Sequence, residues 1–401
     1  MIRKIFWGVI CCLFCCCSEE DDITVDPVDP ADKGTLDVLY MERAETTFDK
    51  LFELYWYDDM KIMYDKYPNL MATNKNTGNY PYDLGYAYAW GYGAVLSAYN
   101  AILQRTESYV NFQQRYEKKI RDGLEVYYTE GQHPPGYASF ANSWDDRFYD
   151  DNVWFGIDLI ELYDKTKDNR YLDKAQIVWR FILSGRDKVL GDGVYWKERE
   201  KNSKNTCSNA PVVVFGVKLY QSTADEDCLT AAKELYKWTK DNLQDPSDCL
   251  YWDNIKTSGT KEKPKFSYNS GQMIQAAALL YNATKEEHYL TEARQIAESA
   301  HNYFFESYTP ETGETIRILK QGSLWFHAIL LRGFGELYQI DKDKKYIKSF
   351  KQSLDHAWTY ARDKQSGLFN ADLSGRTTDA EKDLLTNGGI IEMYARMATL
   401  Q

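Results

Sequence analysis

IELYDKTKDNRYLDKA, residues 160–175, decides the fold, because three later stretches repeat its plan: VKLYQSTADEDCLTAA (217–232), ALLYNATKEEHYLTEA (278–293) and GELYQIDKDKKYIKSF (335–350). Their Leu-Tyr pairs, Leu162-Tyr163, Leu219-Tyr220, Leu280-Tyr281 and Leu337-Tyr338, are separated by 57, 61 and 57 residues. Weaker copies flank them: Tyr99 lies 64 residues before Tyr163, and Tyr394 lies 56 after Tyr338, which brings the count to six. Self-similarity at a fixed period is the signature of a repeat architecture.

Each unit reads as a helical hairpin. In its second half Leu172, Ala175, Val178, Trp179 and Ile182 recur at spacings of three and four with polar residues between, the pattern of an amphipathic outer helix. The first halves, VWFGIDLIELY, APVVVFGVKLY and GQMIQAAALLY, are apolar nearly all round, as expected of helices buried on most sides. The joint between the halves is short and polar (164–169), whereas the return to the next hairpin is longer and aromatic, as in Gly191-Asp192-Gly193-Val194-Tyr195-Trp196 and Leu250-Tyr251-Trp252-Asp253. Six such hairpins, apolar helices inside and amphipathic helices outside, predict an all-α (α/α)6 toroid. A stacked solenoid is the alternative, but the period exceeds the roughly 34 to 47 residues of common helical solenoids. Six units use all the residues after the N-terminal region, so one domain is expected over 36–401. The long loops all lead into inner-helix N-termini, so that end of the toroid should form a cleft. Unpaired N–H groups and the positive dipole end there favour ionised carboxylates.

Hydrophobic residues make up 44% of the 401 and charged residues 27%, which excludes a disordered chain. The net charge of −12, with no basic block, argues against a nucleic-acid partner. Aromatic residues reach 15%, with 32 Tyr and 11 Trp, and flat aromatic faces that can stack on sugar rings point towards a carbohydrate partner.

At the N-terminus Arg3 and Lys4 precede an apolar run from Ile5 to Cys17, too short to span a membrane and typical of a signal peptide. Cys15-Cys16-Cys17 followed by Ser18-Glu19-Glu20-Asp21-Asp22 resembles a bacterial lipoprotein signal with the acidic export signal of Bacteroidetes surface lipoproteins. The resemblance implies a signal over 1–17, a lipid anchor on Cys17 or Cys16, and an outer-membrane lipoprotein at the cell surface, with the periplasmic face as the alternative. Residues 18–35, acidic and carrying Pro27 and Pro30, read as a flexible tether. Cys207, Cys228 and Cys249 form neither a disulfide framework nor a metal-ligand spacing and read as core residues.

Chemistry points to Arg147-Phe148-Tyr149-Asp150-Asp151-Asn152-Val153-Trp154, where two acids stand at the entrance of an inner helix. Retaining glycosidases need two carboxyl groups about 5 to 5.5 Å apart, and like charges this close titrate apart, leaving one ionised and one protonated. Asp is also favoured in a first helical turn without any catalysis, and Asp21-Asp22, Asp58-Asp59 and Asp145-Asp146 repeat the dipeptide in less regular settings.

Tyr149-Asp150-Asp151-Asn152-x-Trp154 resembles the Asp-Asp motif of glycoside hydrolase family 76, the endo-acting α-1,6-mannanases. Further motifs agree in order: Lys204-Asn205-Thr206 and Asn209-Ala210, Ser267-Tyr268-Asn269-Ser270-Gly271, and Lys320-Gln321-Gly322 with Arg332. Ser270, where Gln is more usual, and Pro211 depart from the pattern. The resemblance, over about residues 40 to 400, implies an (α/α)6 toroid and retaining hydrolysis of the α-1,6-linked backbone of yeast or fungal mannan. It also implies Asp150 as nucleophile and Asp151 as acid/base. Tyr149, Asn152, Trp90, Trp144, Trp196, Asn205, Tyr268 and Asn269 are the candidate substrate-binding residues, stacking on mannose or bonding its hydroxyls. Each Trp could equally be core, and each Asn a helix cap. No metal and no cofactor is expected, since the five His are scattered and no phosphate loop is present. The expected partner is α-mannan, polymer or oligosaccharide, and the expected state a monomer. The competing class is a surface glycan-binding helical-repeat lipoprotein without catalysis, which has no need of Asp150 and Asp151.

Overall fold

The computed structural model describes residues 35–70, 85–104, 109–141, 147–311 and 313–400. The N-terminal signal and tether with Cys16 and Cys17 lie outside the described residues, as do Trp144 and Asp145-Asp146.

Among the described residues the chain forms α1 (Thr35–Tyr55), α2 (Ala89–Leu103), α3 (Tyr109–Glu125), α4 (Tyr149–Thr166), α5 (Asn169–Leu183), α6 (Thr206–Thr223), α7 (Glu226–Leu243), α8 (Ser267–Thr284), α9 (Glu287–Phe304), α10 (Leu324–Asp341), α11 (Lys345–Tyr360) and α12 (Leu384–Met397). The even-numbered helices pack in a closed ring, α2 on α4 and so on round to α12 on α2, and the odd-numbered helices lie outside. This is the (α/α)6 toroid. The sequence patterns account for the two layers: α8 is buried on nearly every side, whereas α5 buries Tyr171, Ala175, Val178, Trp179, Phe181 and Ile182 and exposes the rest.

The Leu-Tyr repeat marks where each inner helix stops. Lys167, Ala224, Lys285 and Lys342 adopt left-handed φ values of 57° to 62°. Their N–H groups donate to the carbonyls of Tyr163, Tyr220, Tyr281 and Tyr338, closing each helix with an αL cap. Asp168 and Asp225 then start the outer helix by accepting from Arg170 N and Asp227 N.

Two features differ from a chain of six consecutive hairpins. The sixth pair is split, since α12 finds its outer partner in α1, the first of the described helices. Tyr40 Oη donates to Asp355 at 2.6 Å, and Tyr55 Oη donates to the Lys382 carbonyl at 2.7 Å. Among the described residues this pairing covers the two terminal repeats with each other. The inner ring is also uneven: α8 and α10 approach so closely that a Cβ on Gly333 would stand 2.3 Å from the Gly271 carbonyl oxygen. Only glycine allows that crossing.

The long loops gather over the N-termini of the inner helices. Ser203–Asn205, Trp252–Lys256 and Lys261–Lys265 pair there as a three-stranded antiparallel sheet, which forms one wall of a cleft.

Candidate active site

A cavity of about 680 Å³ opens at this end of the toroid. Its floor follows from the repeat. The second residue of five of the six inner helices lines it: Trp90, Asp150, Cys207, Tyr268 and Trp325. The third residue contributes Asp151 and Phe326, and Trp154 enters one turn further down α4.

The fourth residue does different work. Asn152 accepts from Tyr137 N at 2.7 Å and donates to Tyr137 O at 2.8 Å, so its amide clamps the preceding loop like a short piece of sheet. Asn209 does the same to Val194, at 2.7 and 2.9 Å, and Asn387 to Phe369, at 2.8 and 3.4 Å. Ser270 replaces the amide in α8, where its hydroxyl accepts from Tyr251 N at 3.3 Å. These clamps set the loop walls against the helix starts.

The entrance to α4 is fixed by a second device. Tyr149 N donates to Trp196 O and Glu198 N to Arg147 O, both at 2.9 Å, so the strand into the helix pairs with the loop carrying Trp196. Arg147, fully buried, forms a two-point ion pair with Glu198 at 2.8 and 2.6 Å and donates to the Pro134 carbonyl at 2.8 Å. Its guanidinium lies 4.4 Å from the Phe181 ring centroid.

This pairing brings the Trp196 indole to Asp150. Trp196 Nε1 donates to Asp150 Oδ2 at 2.9 Å, and Cys207 Sγ donates to the same oxygen at 3.4 Å. The other oxygen, Oδ1, is buried and has no hydrogen-bond partner. Asp151 bonds the Ser139 hydroxyl. Both carboxyls keep a face towards the cleft but lie deep within it. Burial pushes Asp150 up to about 6, while the indole, the thiol and the backbone N–H groups of the helix start restrain the rise. Burial pushes Asp151 well above the carboxylate range, and the adjacent Asp150 charge pushes it further. Asp150 therefore gives up its proton first and Asp151 retains one, so the pair can act as base or nucleophile and as acid.

The sequence-derived candidates divide. Trp90, Trp196, Asn205 and Tyr268 line the cleft with Asp150 and Asp151. Trp90 presents a ring 40% exposed, the most open aromatic face on the floor. Trp196 spends its N–H on Asp150, and Asn205 Oδ1 accepts from Ser203 Oγ at 2.8 Å. Tyr268 is covered on one face by Phe326, the rings 4.0 Å apart and 5° from parallel. Tyr149, Asn152 and Asn269 are corrections. Tyr149 is core, stacked on Phe181 at 4.9 Å. Asn152 is consumed by its loop clamp, and Asn269 is buried and is not among the residues that line the cleft. Arg332 also stands apart, in an ion network below the floor, and the Lys204 ammonium ties down the 187–191 loop through Asp187 and Gly191. The rival Asp58 is exposed in a turn, bonded to Trp56 Nε1 at 3.0 Å.

Several cleft residues escaped the sequence reading. Tyr88, Phe140 and Phe326 form an aromatic wall, and Asp253, Asn254, Lys256 and Glu262 a polar one opposite the helix starts. Burial raises the proton affinity of Asp253, and Asn254 Nδ2 donates to it at 2.8 Å. The signal was available, because Val194-Tyr195-Trp196-Lys197 and Leu250-Tyr251-Trp252-Asp253 occupy matching loops of the repeat. Among the described residues no group of three or more His, Cys, Asp or Glu is placed to hold a metal ion.

Comparison with known proteins agrees with this geometry. The sequence pattern of the family described as Glycosyl hydrolase family 76 matches residues 40–399. A family 76 mannosidase from Bacteroides thetaiotaomicron superposes with a TM-score of 0.83 at 36% identity, covering 90% of this chain and 98% of that one. An inactive variant of an α-1,6-mannanase from Salegentibacter, with two consecutive aspartates changed to asparagine and α-1,6-mannotriose bound, superposes at 0.69 with 26% identity, covering 90% of this chain and all of that one. A mannan endo-1,6-α-mannosidase of Candida albicans is 24% identical over 209 residues, 47% of this chain and 45% of that protein. The match thus spans under half the length of this fungal relative.

Proposed function

Because the chain belongs to glycosyl hydrolase family 76, we propose that the protein is an endo-acting α-1,6-mannanase that cleaves the mannan backbone with retention, using Asp150 as nucleophile and Asp151 as acid/base. The observation that carries this reading is the adjacent pair of cleft carboxyls with separated proton affinities at one inner-helix entrance. The inactive asparagine variant of the Salegentibacter α-1,6-mannanase, bound to mannotriose, supports it.

The chemistry follows from the two oxygens of Asp150. One of them attacks the anomeric carbon of the mannose on the non-reducing side of the bond. Asp151 delivers its proton to the departing O6, so the leaving sugar goes as a neutral alcohol. The bond formed is an ester from Asp150 to the sugar, and the bond broken is the glycosidic C–O. Asp151, now ionised, takes a proton from water as that water attacks the same carbon, the ester breaks, and both groups return to their starting states. Two displacements restore the original configuration. The aromatic wall of Tyr88, Phe140 and Phe326 offers apolar surface to pyranose faces, and the polar wall offers hydrogen bonds to hydroxyls.

Digestion of linear α-1,6-mannan is expected to release a ladder of oligosaccharides from the first minutes. Accumulation of mannose alone from the outset would overturn the endo assignment. A glycan-binding role without catalysis is disfavoured by the carboxyl pair, since two buried, mutually repelling acids weaken the fold and serve no purpose in passive binding.

We also infer lipidation at Cys17 or Cys16, which would hold the enzyme at the outer surface on an acidic tether, where a polymer must first be cut. Several acyl chains on one Cys give stable anchoring. Changing both Cys16 and Cys17 to Ser should release the protein with its activity in solution unchanged. Protease added to whole cells should remove the unaltered protein, and full protection would place it on the periplasmic face instead.

A further inference from the structure

The second place of three successive inner helices holds Asp150 on α4, Cys207 on α6 and Tyr268 on α8, and the three side chains touch in that order. A carboxylate can only accept, so the hydrogen between Sγ and Oδ2, 3.4 Å apart, belongs to the thiol. The Tyr268 hydroxyl is the sulfur's other polar neighbour on the adjacent inner helix. The Cys207 and Tyr268 side chains are 4% and 9% exposed on the floor of the cleft.

We propose that Tyr268 and Cys207 form a donor chain that positions Asp150 by holding Oδ2 and favours the ionised carboxylate. This rests on the reading of Asp150 as the nucleophile. Cys207 and Tyr268 are positioning residues in this scheme. The thiol stays protonated throughout, because burial and the nearby Asp150 and Asp253 carboxyls oppose a thiolate. In the ester intermediate Oδ2 becomes the carbonyl oxygen, and the same indole and thiol donors polarise it and receive the returning charge when water displaces the sugar.

The other groups that face this chain are Asp151 on the same helix, the Trp196 indole on the paired loop, and Asp253 on the strand Trp252–Lys256. Lys256 and Glu262, paired with each other, lie further along the same cavity. Asp151 and Asp253 both raise the proton affinity of the cluster when ionised. The indole and the thiol are the side-chain donors that lower it for Asp150. Removing the thiol donor should therefore move the acidic limb of the activity profile upward.

The test is the pH dependence of kcat/KM on a short α-1,6-mannooligosaccharide for the unaltered protein, Cys207→Ala, Cys207→Ser and Tyr268→Phe. Cys207→Ala is expected to raise the midpoint of the acidic limb by about half a pH unit or more, with kcat falling more than KM changes. Cys207→Ser, which restores a donor, should remain within about 0.2 of a unit of the unaltered protein. Tyr268→Phe keeps the ring on Phe326 and should move the limb the same way by less, so it carries the test if Cys207→Ala does not fold. An unmoved limb in Cys207→Ala, or an equal displacement in Cys207→Ala and Cys207→Ser, would reduce Cys207 to a packing residue and overturn the proposal. Trapping with a 2-deoxy-2-fluoro-mannosyl substrate separates the two levels. A label on Asp150 with an unmoved limb overturns only the donor chain, whereas a label on another residue overturns the nucleophile assignment and the chain with it.

Discussion

Asp150→Ala and Asp151→Ala are each expected to lower kcat on α-1,6-mannan by about 10²- to 10⁴-fold while the protein remains folded, and the two losses should differ in kind. With Asp150 gone there is no oxygen to attack, so no substrate restores the first step. With Asp151 gone the missing element is a proton for the leaving group. A mannoside with a leaving group that needs none, such as a fluoride, therefore recovers the first step of Asp151→Ala and leaves Asp150→Ala inactive. Asp58→Ala, in the exposed turn, is the control and should retain full activity. Equal losses at Asp58 would mean that the wrong pair of aspartates has been chosen. Both variants, Asp150→Ala and Asp151→Ala, should also be somewhat more stable to heat. Burial raises both carboxyls, so their ionised forms weaken the fold once the pH exceeds the ordinary carboxylate range, and the substitutions remove that penalty.

Glu392→Ala is expected to cost about 3 to 5 kcal/mol of stability. Arg332 and Glu392, both wholly buried on α10 and α12, form a two-point ion pair at 2.6 and 2.9 Å, and Arg396 adds a third bond to Glu392 at 2.6 Å. Arg396 and Lys218 then reach Glu161 at 3.7 and 3.2 Å, so the network ties α4, α6, α10 and α12 together below the floor of the cleft. Arg332 cannot lose its proton, so removing Glu392 leaves a buried cation without its closest partner. Chemical denaturation measures the loss, and activity per folded molecule should be close to normal, because the network touches no cleft residue.

The same network sets two opposed pH dependences. Lys218 and Arg396 hold Glu161 down at about 2, so its contribution to stability is present above the ordinary glutamate range and is lost as the pH falls from there towards 2. Burial raises Asp158 to about 7, so its contribution is present at low pH and is lost as the pH rises through 7. The maximum stability should therefore lie on the acidic side of neutrality.

Much of this architecture was legible in the chain, because a period near 57 residues states both the number of units and which half of each is buried. The place of Asp150 and Asp151 at the cleft end was legible from the same period, since the pair stands where an inner helix begins. What periodicity could not supply was direction within the first turn. Asn152 is only two residues from Asp150, yet two residues rotate a helix by about 200°, so its amide turns away from the cleft and clamps a loop. Cys207 was read as core for want of a ligand spacing, although it occupies the same place in its helix as Asp150. Asp253 lay in a loop whose partner in the repeat, at Lys197, carries no acid. The closing pair of α12 with α1 was hidden because its two halves lie at opposite ends of the chain.

The anomeric configuration of the first product tests the central claim most directly. Proton NMR during early hydrolysis of an α-1,6-mannooligosaccharide should show the α-anomer at the new reducing end before mutarotation, as two successive displacements at Asp150 require. First appearance of the β-anomer would mean that water attacks directly, and would contradict the assignment of Asp150 as nucleophile.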